Sequence, residues 1–140
     1  MSFLRRTFDR LRGRATPVPS AKSLKISYEP KPDGRADPGE VVWTWVPYAD
    51  NPRKGKDRPV LVIGRLGRDL AVLALTSKDH TRFDDCIELG PGGWDRSGRS
   101  SFVKLDRVLS VTPAKVRREG ATLDRNRFDH VVEALKSRRS

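Results

Sequence analysis

The sequence predicts a mainly β fold, a small β-barrel with appended helices, the last of them at the C-terminal end. Three observations carry that expectation. From Gly39 onward, β-branched, aromatic and aliphatic residues cluster into five short runs bounded by turn-forming and polar residues. The spacers between the runs are too short for the crossovers of a parallel sheet, so the strands should pair antiparallel. A sustained apolar stripe at helical spacing falls near the end of the chain rather than between strands. At 140 residues and 36% hydrophobic composition, the chain can bury one modest core.

Residues 1–37 precede this pattern and differ from it. They hold four Pro, nine Lys or Arg and four Asp or Glu, and are expected to be a basic, largely disordered extension to a barrel domain spanning residues 38–140. Within the extension Phe3, Leu4, Phe8 and Leu11 recur at helical spacing among Arg5, Arg6, Arg10 and Arg12. That is the pattern of a short basic amphipathic helix over residues 3–12, for which a membrane surface, an RNA backbone and no partner at all stay open.

The first β run is Val41, Val42, Trp43, Thr44, Trp45, Val46 and Tyr48, ended by a polar, Pro-containing stretch over residues 49–58 that reads as a mobile loop. Residues 59–66 (PVLVIGRL) and 70–76 (LAVLALT) form the central hairpin, joined across Gly67, Arg68 and Asp69. Weaker strands at 83–89 and 102–111 flank a loop with Gly90, Pro91, Gly92, Gly93 and Gly98, and are expected to close the sheet on itself. Thr112 and Pro113 signal a short helical turn through Arg118, stopped by Gly120. Asp124 is placed to cap a final helix whose Phe128, Val131, Val132 and Leu135 share the face that packs on the sheet.

Charge narrows the function classes. Twenty-nine Lys and Arg against 18 Asp and Glu give a formal net charge of +11, which attracts polyanions, nucleic acid first and an acidic protein segment second. Cys86 is the single cysteine, and His80 and His130 are the only histidines, so no spaced set of zinc ligands exists and no metal or cofactor is expected. No apolar run reaches the 18 or so residues of a membrane span, and the N-terminus lacks the apolar core and cleavage site of a secretion signal, which makes the cytoplasm the expected location.

Cleaving RNA without a metal requires that a ribose 2′-hydroxyl be aligned with its own phosphate, that a cation stabilise the charge gathering on the phosphate oxygens, and that protons be moved. Arg58, at the junction of the basic loop and a buried strand, is an anchored guanidinium suited to a phosphate. Thr76 ends the neighbouring strand, where its hydroxyl can bond a phosphate oxygen and Ser77 and Lys78 continue the polar patch. From spacing alone the same residues also read as an ordinary strand-edge cation and an ordinary β-former. Arg53, Lys54 and Lys56 in the first loop are candidates for drawing in RNA, against a plain solvated linker. Trp43 and Trp45 share one strand face and suit a core or a dimer surface, whereas Trp94, in the Gly-rich loop, is the candidate base stacker. His80 follows Thr76 in a loop and reads as incidental, and His130 is given no role.

Over the last 100 or so residues the chain resembles the MazF/PemK family of toxin-antitoxin ribonucleases. The resemblance is carried by Gly39-Glu40-Val41-Val42-Trp43 in the first strand, Arg58-Pro59-Val60-Leu61-Val62 after the loop, Ala74-Leu75-Thr76 at a strand end, and Val103-Lys104-Leu105-Asp106-Arg107-Val108 further on. It implies a homodimeric SH3-like barrel of the CcdB/MazF kind that cuts single-stranded RNA at short motifs by 2′-hydroxyl attack, without metal. It also implies silencing by a cognate antitoxin with an acidic or amphipathic tail that crosses the active groove. By the same resemblance Arg58 takes acid/base and phosphate-stabilising roles and Thr76 stabilises the transition state. Some members are described instead with a basic residue and an Asp as acid and base, which match Lys104 and Asp106, although Lys lacks the planar fork of Arg. Asp106 has the alternative of a surface pair with Lys104 or Arg107. The extension over residues 1–37 and the long, Gly-rich 90–99 connection depart from the family pattern.

Two other readings are compatible with the barrel. One is a non-enzymatic poison of DNA gyrase, as in the related CcdB proteins, which have no use for Arg58 with Thr76. The other is an RNA-binding module without catalysis, because fold alone does not decide function.

Overall fold

The computed structural model describes residues 16–17, 24–79, 81–82 and 85–139. Its described strands are β1 (Thr16–Pro17), β2 (Leu24–Ile26), β3 (Glu40–Pro47), β4 (Gly55–Leu66), β5 (Asp69–Thr76), β6 (Cys86–Gly90), β7 (Ser101–Lys104), β8 (Leu109–Val111) and β9 (Arg117–Thr122). They are followed by one helix, α1 (Arg125–Arg139). Every strand pairing is antiparallel, in the order β1-β8-β5-β4-β3-β9, with β2 also on β4 and the β6–β7 pair also on β5. The sheet is a curled half-barrel, mainly β with one C-terminal helix, as the sequence predicts.

The long central strands β4 and β5 organise the rest. On one side of β4, β3 pairs with its first half and β2 with its second; on the far side of β5, β8 pairs with the first half and β7 with the last two residues. A register shift between Val62 and Gly64 bends the β4–β5 ladder. Gly64 is required there, because a Cβ would lie 2.1 Å from the backbone oxygen of Lys25 in β2. Side chains alternate across the sheet. Val41, Leu61, Ile63, Leu73, Leu75 and Val103 pack with Phe128, Val131 and Leu135 of α1, while Val42, Val60, Val62, Leu70, Val72 and Leu109 form a second buried cluster on the other face. Both faces of β5 and of β4 from Val60 to Gly64 are therefore buried, which explains the near-continuous apolar sequence there. At the start of α1 the Asp124 carboxylate accepts the Arg127 N–H, the cap expected from sequence.

Several elements differ from expectation. The stretch over residues 49–58 is not all loop: β4 begins at Gly55, and pairing with β3 runs through Trp45/Asp57, Val46/Lys56 and Pro47/Gly55. Backbone hydrogen bonds to β3 hold Lys56, Asp57 and Arg58 as strand despite their polar side chains. The 102–111 run is two strands separated at residues 105–108, because its halves pair with opposite ends of β5. The turn after Thr112 is a single 3-10 turn, Pro113–Lys115, and Gly120 lies inside β9, which pairs with β3 and has almost no apolar pattern to reveal it. β6 starts at Cys86, and Phe83 lies outside the described residues, as does the helix expected over residues 3–12.

Part of the expected extension is packed against the barrel. β1 pairs with β8 and β2 with β4. Tyr28 donates from its hydroxyl to the Leu123 carbonyl (2.6 Å) and its ring meets Phe128 at 5.0 Å, and Asp37 is ion-paired with Arg65. These contacts are long in sequence, so no local periodicity announces them.

Candidate active site

Arg58 is directly opposite Thr44 on β3. On the other side the β4–β5 ladder pairs Val60 with Ala74, and carrying that register two residues further sets Arg58 opposite Thr76. Thr76 in turn pairs with Phe102 of β7, the strand that ends at Lys104, just before Asp106. The four residues named for catalysis from sequence thus come from β4, β5 and the end of β7 at one end of the sheet.

Two hollows meet at Arg58. The larger, about 190 Å³, is lined by Trp43, Arg58, Thr76, Ser77, Asp95 and Arg99, among others. The smaller, about 50 Å³, is lined by Tyr48, Arg58, Lys104, Asp106 and Arg107 with apolar neighbours. Thr76 lies on the first and the Lys104–Asp106 pair on the second, so Arg58 is the group that both share.

Burial holds the Arg58 guanidinium below its ordinary range; the Tyr48 phenol beside it acts in the opposite sense and the Arg107 charge in the same sense. The Arg58 Nε is buried with no hydrogen-bond partner, and so is Oδ1 of Asp106. Buried polar atoms in native proteins are nearly always bonded, and two orphans on one small hollow mark hydrogen-bonding capacity held for something external. The surface pair weighed for Asp106 does not form: among the described residues it makes no ion pair, and Arg107 instead donates to the Pro47 carbonyl (2.6 Å). Thr76 accepts the Lys78 N–H through Oγ1 (3.1 Å), which leaves its own proton to donate.

The other residues named from sequence divide. Ser77 and Lys56 line the larger hollow, Lys56 exposed and on β4 rather than in a loop. Arg53, Lys54 and Lys78 are exposed and line neither hollow. Trp94 is not a free stacker: it is 3% exposed, its Nε1–H donates to Ser101 Oγ (2.9 Å), and the Arg127 guanidinium lies 5.7 Å from its ring. The glycines suggested an open loop, but they serve to fold the chain tightly over the indole; a Cβ on Gly92 would fall 2.1 Å from it. Arg127 ties that loop to α1 through the Leu89 and Pro91 carbonyls.

The same loop supplies two residues that the sequence did not single out. Asp95 accepts the Ser97 N–H and hydroxyl and the Arg99 Nε, and Asp95 and Arg99 both wall the larger hollow. Hydrogen bonds from Ser97 hold the Asp95 carboxyl below the usual carboxylate range, so it stays ionised. The Asp-x-Ser-x-Arg spacing was the available signal for this turn. Tyr48 was also missed, having been counted only as the end of a strand.

Among the described residues no helix is long and apolar enough to cross a membrane. A search of curated proteins returned no match to the chain. The sequence pattern of the PemK-like, MazF-like toxins of type II toxin-antitoxin systems, a class that implies an antitoxin as partner, matches residues 37–138, and the chain belongs to that family.

Proposed function

We propose that this toxin is an endoribonuclease that cleaves single-stranded RNA by attack of a ribose 2′-hydroxyl on the adjacent phosphate. The observation that carries the reading is the half-buried Arg58 side chain, its buried Nε without a hydrogen-bond partner, between hollows that also present Thr76 and Asp106. Arg58 binds the phosphate and stabilises its growing charge, and the Thr76 hydroxyl donates to a non-bridging oxygen. The Asp106 carboxylate takes the proton of the 2′-hydroxyl as the new P–O bond forms. As the bond to the 5′-oxygen breaks, that oxygen takes a proton from Arg58, whose lowered proton affinity suits the task. Lys104 and Arg107 add positive charge at the smaller hollow, and Lys56 and Ser77 extend contact with the strand beside the larger one. Arg53, Lys54 and Lys78 act from outside the hollows, by drawing the polyanion in. None of these steps needs a metal. The family resemblance adds a homodimer acting in the cytoplasm and an antitoxin tail lying in the groove.

The test is incubation of the purified protein with a long unstructured RNA in EDTA, beside Arg58→Ala, with new ends mapped by primer extension. Discrete cuts that persist in EDTA and vanish in the variant are expected. Intact RNA from an antitoxin-free sample would sink the reading and favour a binding or gyrase-directed toxin.

A further inference from the structure

We infer that Tyr48 is a base-stacking platform: a nucleobase next to the scissile phosphate lies against its ring while Arg58 holds that phosphate, an inference that rests on the ribonuclease reading above. Tyr48 is 39% exposed, and no other large hydrophobic side chain among the described residues stands so open to solvent. Single exposed apolar residues are common, so exposure alone says little. Its place decides the matter. Tyr48 lines the smaller hollow with Arg58, Lys104, Asp106 and Arg107, beside the cation that binds the phosphate.

The backbone under the ring is fixed from two directions. The Tyr48 N–H donates to the Lys54 carbonyl (2.8 Å), closing the β3–β4 loop, and Arg107 Nη2 grips the carbonyl of Pro47, the preceding residue. An aromatic side chain on an anchored backbone presents a flat face at little entropic cost. Such faces hold the bases of single-stranded nucleic acid by stacking, with little regard for sequence. At about 50 Å³ the hollow is too small to enclose a base, so the base lies over the ring at the rim while the phosphate reaches Arg58. Trp94 is buried and bonded, and Trp43 and Trp45 are half-buried, which among the described residues leaves Tyr48 as the exposed aromatic presented to a strand entering this side of the site.

The experiment measures binding of a 2′-O-methyl oligonucleotide, which cannot be cut by 2′-hydroxyl attack, to the wild type, Tyr48→Ala and Tyr48→Phe, each checked for fold by circular dichroism. The oligonucleotide carries a mapped cut site, or uridines if no cut is found. Tyr48→Ala is expected to weaken binding roughly five- to hundredfold, and Tyr48→Phe to bind as the wild type does. Abasic substitutions walked along the strand should reveal one position that weakens the wild type but not Tyr48→Ala. Wild-type affinity in Tyr48→Ala, equal loss in Tyr48→Phe, or the lack of any coupled position would each overturn the platform. Cleavage of unmodified RNA is scored separately: intact RNA alongside the expected binding pattern removes the ribonuclease reading and leaves the platform standing.

Discussion

The two hollows that meet at Arg58 are built on opposite principles. Apart from the shared Arg58, the wall of the larger one is largely bonded within the protein: Asp95 accepts from Ser97 and Arg99, Ser101 accepts from Trp94, and Asp57 is paired with Arg117. The smaller one holds the orphaned Nε of Arg58 and Oδ1 of Asp106 beside an exposed aromatic ring. A satisfied wall keeps its shape without a ligand, whereas unsatisfied groups gain most when a ligand arrives. The contrast assigns a fixed frame, with the Thr76 hydroxyl set on it, to the larger hollow and the unsatisfied groups to the smaller.

Removing the shared group is expected to have the largest effect. Arg58→Ala should lower kcat/KM on RNA by about 10³, the scale of losing a main charge-stabilising donor, and Arg58→Lys should recover only part of it because the fork is gone. Next is Trp94→Ala, which empties a buried site; denaturant unfolding should register a loss of about 3 kcal/mol or more. If the larger hollow supplies shape, the folded fraction of that variant will show a raised KM with kcat little altered, and a collapse of kcat would break the division. Asp106→Asn should lower kcat about 10²-fold with KM nearly unchanged, as loss of a general base does. Thr76→Val removes one neutral donor and should cost about fivefold.

The smallest effect concerns pH. Because Ser97 holds the Asp95 carboxyl below its ordinary value near 3.8, the folded chain binds that proton less readily than the unfolded chain. Its contribution to stability is complete above that value and is lost as the pH falls through and below it. The loop over residues 91–100 should therefore loosen only in acid, seen as a change in Trp94 fluorescence below about pH 4 that is absent in Asp95→Asn.

Legibility followed the same division. Thr76 ends, and Arg58 borders, an apolar run whose pattern and antiparallel pairing could be read directly, so their approach was predictable from the hairpin, although the extension of β4 back through Arg58 was not. Lys104 and Asp106 entered through family resemblance, and only the splitting of the 102–111 run into β7 and β8 accounts for their position beside Arg58. Trp94 was misjudged because glycine signals freedom in the unfolded chain, while here it permits close packing on the indole. Tyr48 was overlooked because its surroundings come from residues 58 and 104–107, far away in sequence. β9 carries its identity in backbone pairing alone, and the pattern RREGAT gives no hint of it.

The Gly64–Lys25 approach bears on how the protein is handled. The family-matched region begins at residue 37, yet the second half of β4 has its N–H and C=O groups paired by β2 from residues 24–26. A fragment trimmed to the matched region would carry a bare sheet edge beside a glycine that offers no side chain to blunt it, which is a template for edge-to-edge association. The basic leader thus contributes a structural seal, and trimmed versions should be recovered as aggregates where the full chain stays in solution.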